Sequence, residues 1–325
     1  MEIKLNLSKE LIDHIDQLKQ EWFLTTQEEV IAKILKTKFQ LTDENIVPER
    51  INQILVKTFD EIESRSLGTS IAGIPINFYD FDAMTQGLQR GDLIVLGGRP
   101  AMGKTSIALQ IAKNIAQLHN LPVCIFGFEM SKEQLTYRLI SGEVGIESSR
   151  LRTGRLQEDE WPLLGQGINI LGQLPIFITD SSRITVDEML AKCHAIKKDH
   201  NNELGLVVID YLQLMDVSIS QSRDEELSTI VMQLKAMAKI LKVPVIVLSQ
   251  LNRAIEHRKN KRPMLSDIRE TQSLESHADI VTMIYRDEYY NPDTEDRGIT
   301  ELITCKHRNG PLGTVKLLFE PQFTR

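Results

Sequence analysis

Residues 97–106 read GGRPAMGKTS, and from Gly98 to Thr105 they follow the spacing G-x-x-x-x-G-K-S/T. The apolar run GDLIVLG precedes this stretch and the amphipathic run TSIALQIAKNIAQL follows it. A tight glycine-bearing turn between a strand and a helix aims backbone N–H groups at an anion, and the helix dipole adds its positive end. Gly98, Arg99, Pro100, Ala101, Met102, Gly103, Lys104, Thr105 and Ser106 are therefore the expected phosphate-binding segment. Lys104 can reach the terminal phosphates of a nucleotide and the Thr105 hydroxyl can coordinate Mg²⁺, so ATP with Mg²⁺ is the implied ligand.

Three further positions supply the chemistry that such a turn lacks. Asp210 ends the apolar run LGLVVID. A carboxylate at a strand end can hold a hydrated Mg²⁺ beside Thr105. Glu129 stands just beyond the run VCIFGF, where it can face the same crevice and polarise an attacking water. An acid at that point equally suits a surface cap on the next helix. Gln250 closes VPVIVLSQ, and its neutral amide can touch a terminal phosphate and report its loss to the following loop. That loop, RAIEHRKNKRP, carries Arg253, Arg258, Lys259, Lys261 and Arg262. A flexible basic loop suits the backbone of a single-stranded nucleic acid, although exposed polar loops without a partner share this composition.

These positions need a sheet to bring them together. Apolar runs at 93–97, 123–128, 176–178, 206–209, 243–248 and 280–284 alternate with helical patterns, the rhythm of an α/β fold with a mainly parallel sheet. Runs at 299–305 and 313–319 flank HRNGPLG and predict an antiparallel hairpin at its edge. Ahead of this, Ile51, Ile54, Leu55, Phe59 and Ile62 predict one amphipathic helix over 51–63, and Pro48 marks residues 41–50 as a linker. In the first forty residues Met1, Ile3, Leu5 and Leu7 alternate with polar residues, and two apolar helical stripes follow. That unit is too small to bury a core alone. It resembles the ribbon-helix-helix family, which implies pairing of two such strands across a dimer and, in DNA-binding members, a ribbon that enters the major groove. The outward residues here are Glu2, Lys4 and Asn6. A small helical dimerisation tag fits the same pattern.

Composition sets outer limits. The formal net charge is −7, so contact with DNA needs a local basic patch. The three cysteines form no C-x-x-C pair, which suits a reducing compartment. The charged start MEIKLNLSKE lacks an apolar signal segment, and no run is long enough to span a bilayer, so the expected location is the cytoplasm, with no membrane partner.

Residues 51–320 resemble the C-terminal motor of bacterial DnaB-type replicative helicases. The pieces that carry the likeness are the phosphate segment with its lead-in IAGIPINFYDFDAMTQGLQRGDLIVLG, then FGFEMS, SSRLRTGRL, LVVIDYLQLM, VIVLSQLNR, KRPMLSDIRE, ADIVTMIYRDEYY and CKHRNGPLG. The resemblance implies a RecA-like P-loop core over 74–325, a linker and linker helix over 41–73, and a ring homo-hexamer that moves 5′ to 3′ on single-stranded DNA. It implies Glu129 as the catalytic glutamate, Asp210 as the magnesium-associated aspartate and Gln250 as the γ-phosphate sensor. Lys306 and Arg308 resemble a basic pair delivered by the neighbouring subunit. They stand two residues apart, so on an extended strand they point the same way and could neutralise developing charge across an interface. A solvated basic hairpin is the alternative. Arg269 and Glu270 match the family's DNA-contact segment, but Thr271 and Gln272 replace its Ser and Gly, which puts the grip on DNA in question. The family also implies a helical collar ahead of the motor, and a helicase loader or primase as partner. The ribbon-like unit at 1–40 takes that place in this sequence and would organise the ring as a trimer of dimers. The expected activity is that of an ATP hydrolase and DNA helicase. A nonprocessive RecA-type DNA-binding ATPase in regulation, partition or repair is the second reading.

Overall fold

The computed structural model describes Asp16 and residues 48–68, 72–181, 184–210, 223–268 and 271–325. The expected ribbon-helix-helix unit, and Arg269 and Glu270 of the expected DNA contacts, lie outside the described residues, Asp16 excepted. The chain divides into two compact units, Met1–Ser70 and Ile71–Arg325.

In the first unit, helix α1 covers Ile51–Ser66. The expected apolar stripe is present and none of it is buried: Ile51, Leu55, Phe59 and Ile62 are all more than half exposed. Exposed ion pairs, Lys57 with Glu49 at 3.0 Å and Arg65 with Glu61 at 3.2 Å, decorate the same helix.

Among the described residues, the second unit is built on eight strands: β1 Leu93–Gly98, β2 Val123–Gly127, β3 Ile176–Thr179, β4 Leu206–Asp210, β5 Val245–Gln250, β6 Ile280–Tyr285, β7 Ile299–His307 and β8 Gly313–Leu318. They form one sheet in the order β3-β2-β4-β5-β1-β6-β7-β8. The pairs among the first six are parallel, and β7 and β8 add an antiparallel edge. The helices that matter below are α2 Tyr79–Thr85, α3 Lys104–His119, α4 Lys132–Val144, α5 Ser148–Thr153, α6 Glu160–Gly172, α7 Val186–Asp199, α8 Arg223–Leu241, α9 Thr271–His277 and α10 Asp287–Tyr290. The expected α/β architecture and the edge hairpin are both present.

Why the strands read as unbroken apolar runs is plain from their two faces. Along β1, Leu93 and Val95 join one core cluster with Met189 of α7 and Leu234 of α8. Ile94 and Leu96 join another with Ile107 and Ile111 of α3. A parallel sheet covered on both faces leaves no polar side to alternate with. Capping fixes where the helices begin. Ser131 and Gln134 form a reciprocal capping box at α4, and Thr185 and Glu188 do so at α7.

The strand order also places the site. The chain leaves β1 in mid-sheet and returns at β2, with β5 and β4 later filling the gap between them. The carboxyl ends of all four strands therefore surround the N-terminus of α3, the crevice where open α/β sheets bind ligands.

Candidate functional site

A cleft of about 320 Å³ opens at these strand ends, lined by Lys104, Thr105, Glu129, Asp210 and Gln250 among others. Register explains the convergence. Gly98 is the direct neighbour of Gln250, so the amide stands beside the phosphate turn. Phe128 N donates to Asp210 O at 2.7 Å, which ties the end of β2 to the end of β4 and sets Glu129 next to Asp210.

The turn between β1 and α3 is wound through two left-handed residues, Ala101 at φ 64° and Gly103 at φ 95°. At Gly103 a Cβ would also meet the Phe319 ring at 3.2 Å. Ala101 bears a side chain in a conformation that costs roughly 1–2 kcal/mol. Its carbonyl accepts a hydrogen bond from Arg286 Nη1 at 3.1 Å, which helps hold it there.

Lys104 Nζ donates to the carbonyls of Gly98 at 2.8 Å and Arg99 at 3.1 Å. Burial pushes its pKa down to about 8, against the pull of Asp210 and Glu129. Asp210 is 3% exposed, and Thr105 Oγ1 donates to its Oδ2 at 2.8 Å. Burial holds the Asp210 carboxyl above the usual carboxylate range, although the Thr105 hydrogen bond opposes the shift. A hydroxyl and a buried carboxylate at the mouth of an anion-binding turn form the donor set that a hydrated divalent cation takes.

Not every residue of the expected phosphate segment turns its side chain into the cleft. Arg99, itself buried, instead pairs with the exposed Glu256 at 2.6 Å and donates to Leu251 O at 2.9 Å. Met102 is 1% exposed in the apolar core. What these positions offer an anion is main chain.

Among the cleft residues that escaped the sequence reading are two arginines and a phenylalanine. Arg138 of α4 lines the cleft, where the charges of Asp210 and Glu129 act on it while burial pulls its pKa down. Its signal was an arginine between the buried Leu135 and Leu139, on the inward face of the helix after the Glu129 loop. Arg286, just past β6, is ion-paired with Glu288, and its guanidinium lies 4.8 Å from the centre of the Phe319 ring. Arg286 and Phe319 both line the cleft and present a planar cation and an aromatic face above the phosphate turn.

Lys306 and Arg308 are elsewhere. β7 runs antiparallel to β6, with Val281 opposite Lys306, so the pair lies at the end of the sheet away from the cleft of its own chain. Their heads share one direction, as expected: Lys306 Nζ donates to Glu275 O and Arg308 Nη2 to Ser276 O, in the last turn of α9.

The basic loop is tied down more than a flexible loop would be. Leu251 pairs with Ile268, and Arg258 grips Asp267 with both nitrogens at 3.0 and 2.8 Å. Arg262 pairs with the buried Glu301, and Lys261 lies 5.2 Å over the Tyr290 ring. The stapling carboxylates, one of them in the edge hairpin, are not evident from the loop's own composition. Arg253 and Lys259 are left exposed.

A family model described as the DnaB-like helicase C terminal domain matches residues 73–325. The chain is 46% identical over 280 residues to the replicative DNA helicase DnaB of Geobacillus stearothermophilus, covering 85% of this chain and 61% of that protein. It is 42% identical over 308 residues to the replicative DNA helicase DnaC of Bacillus subtilis (strain 168), covering 94% of this chain and 66% of that protein. It thus spans a little under two thirds of the length of these curated relatives. Among solved structures, one described as an ATPase domain superposes with a TM-score of 0.82 at 37% identity, over 86% of this chain and 98% of that one. A DnaB-like replicative helicase, described with its interactions with primase, superposes with a TM-score of 0.78 at 34% identity, over 97% of this chain and 75% of that one.

Proposed function

The chain belongs to the DnaB-like helicase C-terminal domain family, and from that premise we propose that it is the motor of an ATP-dependent DNA helicase. It works as a cytoplasmic homo-hexamer, moving 5′ to 3′ along single-stranded DNA during replication. The observation that carries this reading is the division of charged groups between the two sheet ends. Lys104, Asp210, Glu129 and Gln250 share a cleft, while Lys306 and Arg308 lie at the opposite end of the sheet, away from the cleft of their own chain.

In this reading the phosphates of ATP lie on the turn from Gly98 to Thr105. Lys104 exchanges its two carbonyl partners for phosphate oxygens, whose negative charge favours its ammonium form. Mg²⁺, held by Thr105 and Asp210, would neutralise charge on the phosphate oxygens. Glu129 takes the proton of the attacking water, and Gln250 touches the terminal phosphate and reports its departure to the 253–262 loop. The Arg286 and Phe319 pair offers a stacking surface to the base. Arg308, with Lys306, enters from the neighbouring subunit and stabilises charge on the transferred group. The exposed stripe of α1 would dock on an adjacent motor. Residues 1–40, read as a pairing unit, would group the ring as three dimers. Arg253 and Lys259, with Arg269 and Glu270, would meet DNA, and a loader or primase would be the protein partner.

The test is a forked duplex with a 5′ tail, assayed for strand displacement beside DNA-stimulated ATP hydrolysis. Glu129→Gln and Lys104→Ala should each lower turnover by about 100-fold or more. Mixing Arg308→Ala with Lys104→Ala should recover part of it, because a mixed ring contains intact composite sites. Normal turnover in Glu129→Gln would sink its role as base. DNA-stimulated hydrolysis without strand displacement would favour a nonprocessive DNA-binding ATPase.

A further inference from the structure

At the end of the sheet opposite the cleft stands Asp279, the acid of the run ADIVTMIYRDEYY. It is 4% exposed and directly precedes β6. Its amide donates to Leu93 O at 2.9 Å, and its Oδ2 accepts from Leu93 N at 2.8 Å and from Lys235 Nζ of α8 at 2.5 Å. On its other side, its carbonyl accepts from Arg308 N at 2.9 Å, and its Oδ1 lies 3.6 Å from Arg308 Nη1. One residue thus holds both the main chain and the guanidinium of Arg308.

The two carboxylate oxygens have different work. Oδ2 meets the buried partners, Leu93 N–H and the Lys235 ammonium. Oδ1 faces a guanidinium whose side chain is 44% exposed and still accessible from outside. Leu93 is the first residue of β1, which is buried along its whole length and ends at Gly98, where the phosphate turn begins. A buried strand in mid-sheet moves as a rigid element. Asp279 therefore joins the strand that carries one subunit's phosphate turn to the arginine that this subunit offers outward.

We propose that Asp279 is a positioning residue for Arg308, setting the reach of its guanidinium into the neighbouring subunit's cleft and tying that reach to β1. The proposal rests on the reading that Arg308 acts across the interface. Asp279 touches neither nucleotide nor reacting atoms. It acts by fixing the geometry of a group that does, and small misplacements of such groups are costly.

The experiment is steady-state ATP hydrolysis by Asp279→Asn in the full chain, which keeps an acceptor for Leu93 N–H and removes the charge. The expected result is a kcat lowered about 10- to 100-fold with KM unchanged. Asp279→Asn combined with Arg308→Ala should be no slower than Arg308→Ala alone. Mixed with Lys104→Ala, Asp279→Asn should regain activity, because the Lys104→Ala subunits still offer a correctly held Arg308. If Asp279→Asn does not fold, the pair Asp279→Asn with Lys235→Met removes both charges of the Lys235–Asp279 ion pair together and carries the same test. Multiplying losses in the double variant, or rescue of Arg308→Ala without rescue of Asp279→Asn, overturns the positioning role alone. Normal turnover in Arg308→Ala, or its failure to be rescued by mixing, overturns the underlying reading of Arg308 and the proposal with it.

Discussion

Each end of the central sheet buries a lysine among carboxylates, and the two ends treat that charge differently. At the carboxyl ends of the strands, Lys104 has two carbonyl partners and Asp210 one hydroxyl partner, beside a cleft of about 320 Å³. At the amino ends, Lys235 meets Gly91 O at 2.8 Å, Asp279 at 2.5 Å and Asp92 at 3.8 Å, and Asp279 also takes the Leu93 N–H. The first end pairs its charges with donors and acceptors that a phosphate and a cation can replace. The second spends them on main chain and on each other. Buried charge alone does not mark a binding site. Exchangeable partners beside open volume do.

The largest expected effect breaks or confirms that contrast directly. Asp210→Asn should lower ATP turnover about 100-fold or more, because the carboxylate that would hold the cation is gone. Its melting temperature should hold or rise, since burial already disfavours the charged form of Asp210. A variant that melts early and still turns over would make Asp210 a structural residue.

Asp92 sharpens the comparison from the other end. Burial first, and the charge of Asp279 second, push its pKa up to about 6 from 3.8. The folded carboxyl thus binds its proton more tightly than the unfolded one. The native state is favoured while Asp92 is protonated, and that advantage is lost as pH rises from about 4 through about 6. Asp92→Asn escapes the loss. It should therefore be more stable than the parent above pH 6, by up to about 3 kcal/mol, with the difference vanishing below about pH 4. Urea unfolding at pH 4, 5 and 7 reads it. An equal difference at all three values would remove Asp92 from the account.

The smallest effect concerns the basic loop, where the same contrast recurs within a few residues. Lys259 is exposed, whereas Arg258 is committed to Asp267. Lys259→Ala should reduce the salt dependence of single-stranded DNA binding by about 0.7 in log–log slope, with melting unchanged. Arg258→Ala should lower the melting temperature, because it leaves the buried Asp267 carboxylate without its cation. Equal salt slopes for Lys259→Ala and the parent would take Lys259 out of the DNA path.

The amino-acid sequence by itself determined the parallel core, the edge hairpin, the phosphate turn and the strand-end positions of Asp210 and Gln250. Each of these depends on neighbours a few residues away. Apolar periodicity sets a strand, a left-handed glycine sets a turn, and the first turn of α3 sets the dipole over it. Only the tertiary structure decided which charges meet. Arg138, Arg286 and Phe319 enter the cleft from three separate elements. Arg99 turns to Glu256 across 157 residues, and Arg262 turns to Glu301 across 39. The antiparallel turn into β7 sends Arg308 to the far end of the sheet. These pairings follow from strand order and from the need of every buried charge for a partner, and neither is written in local spacing.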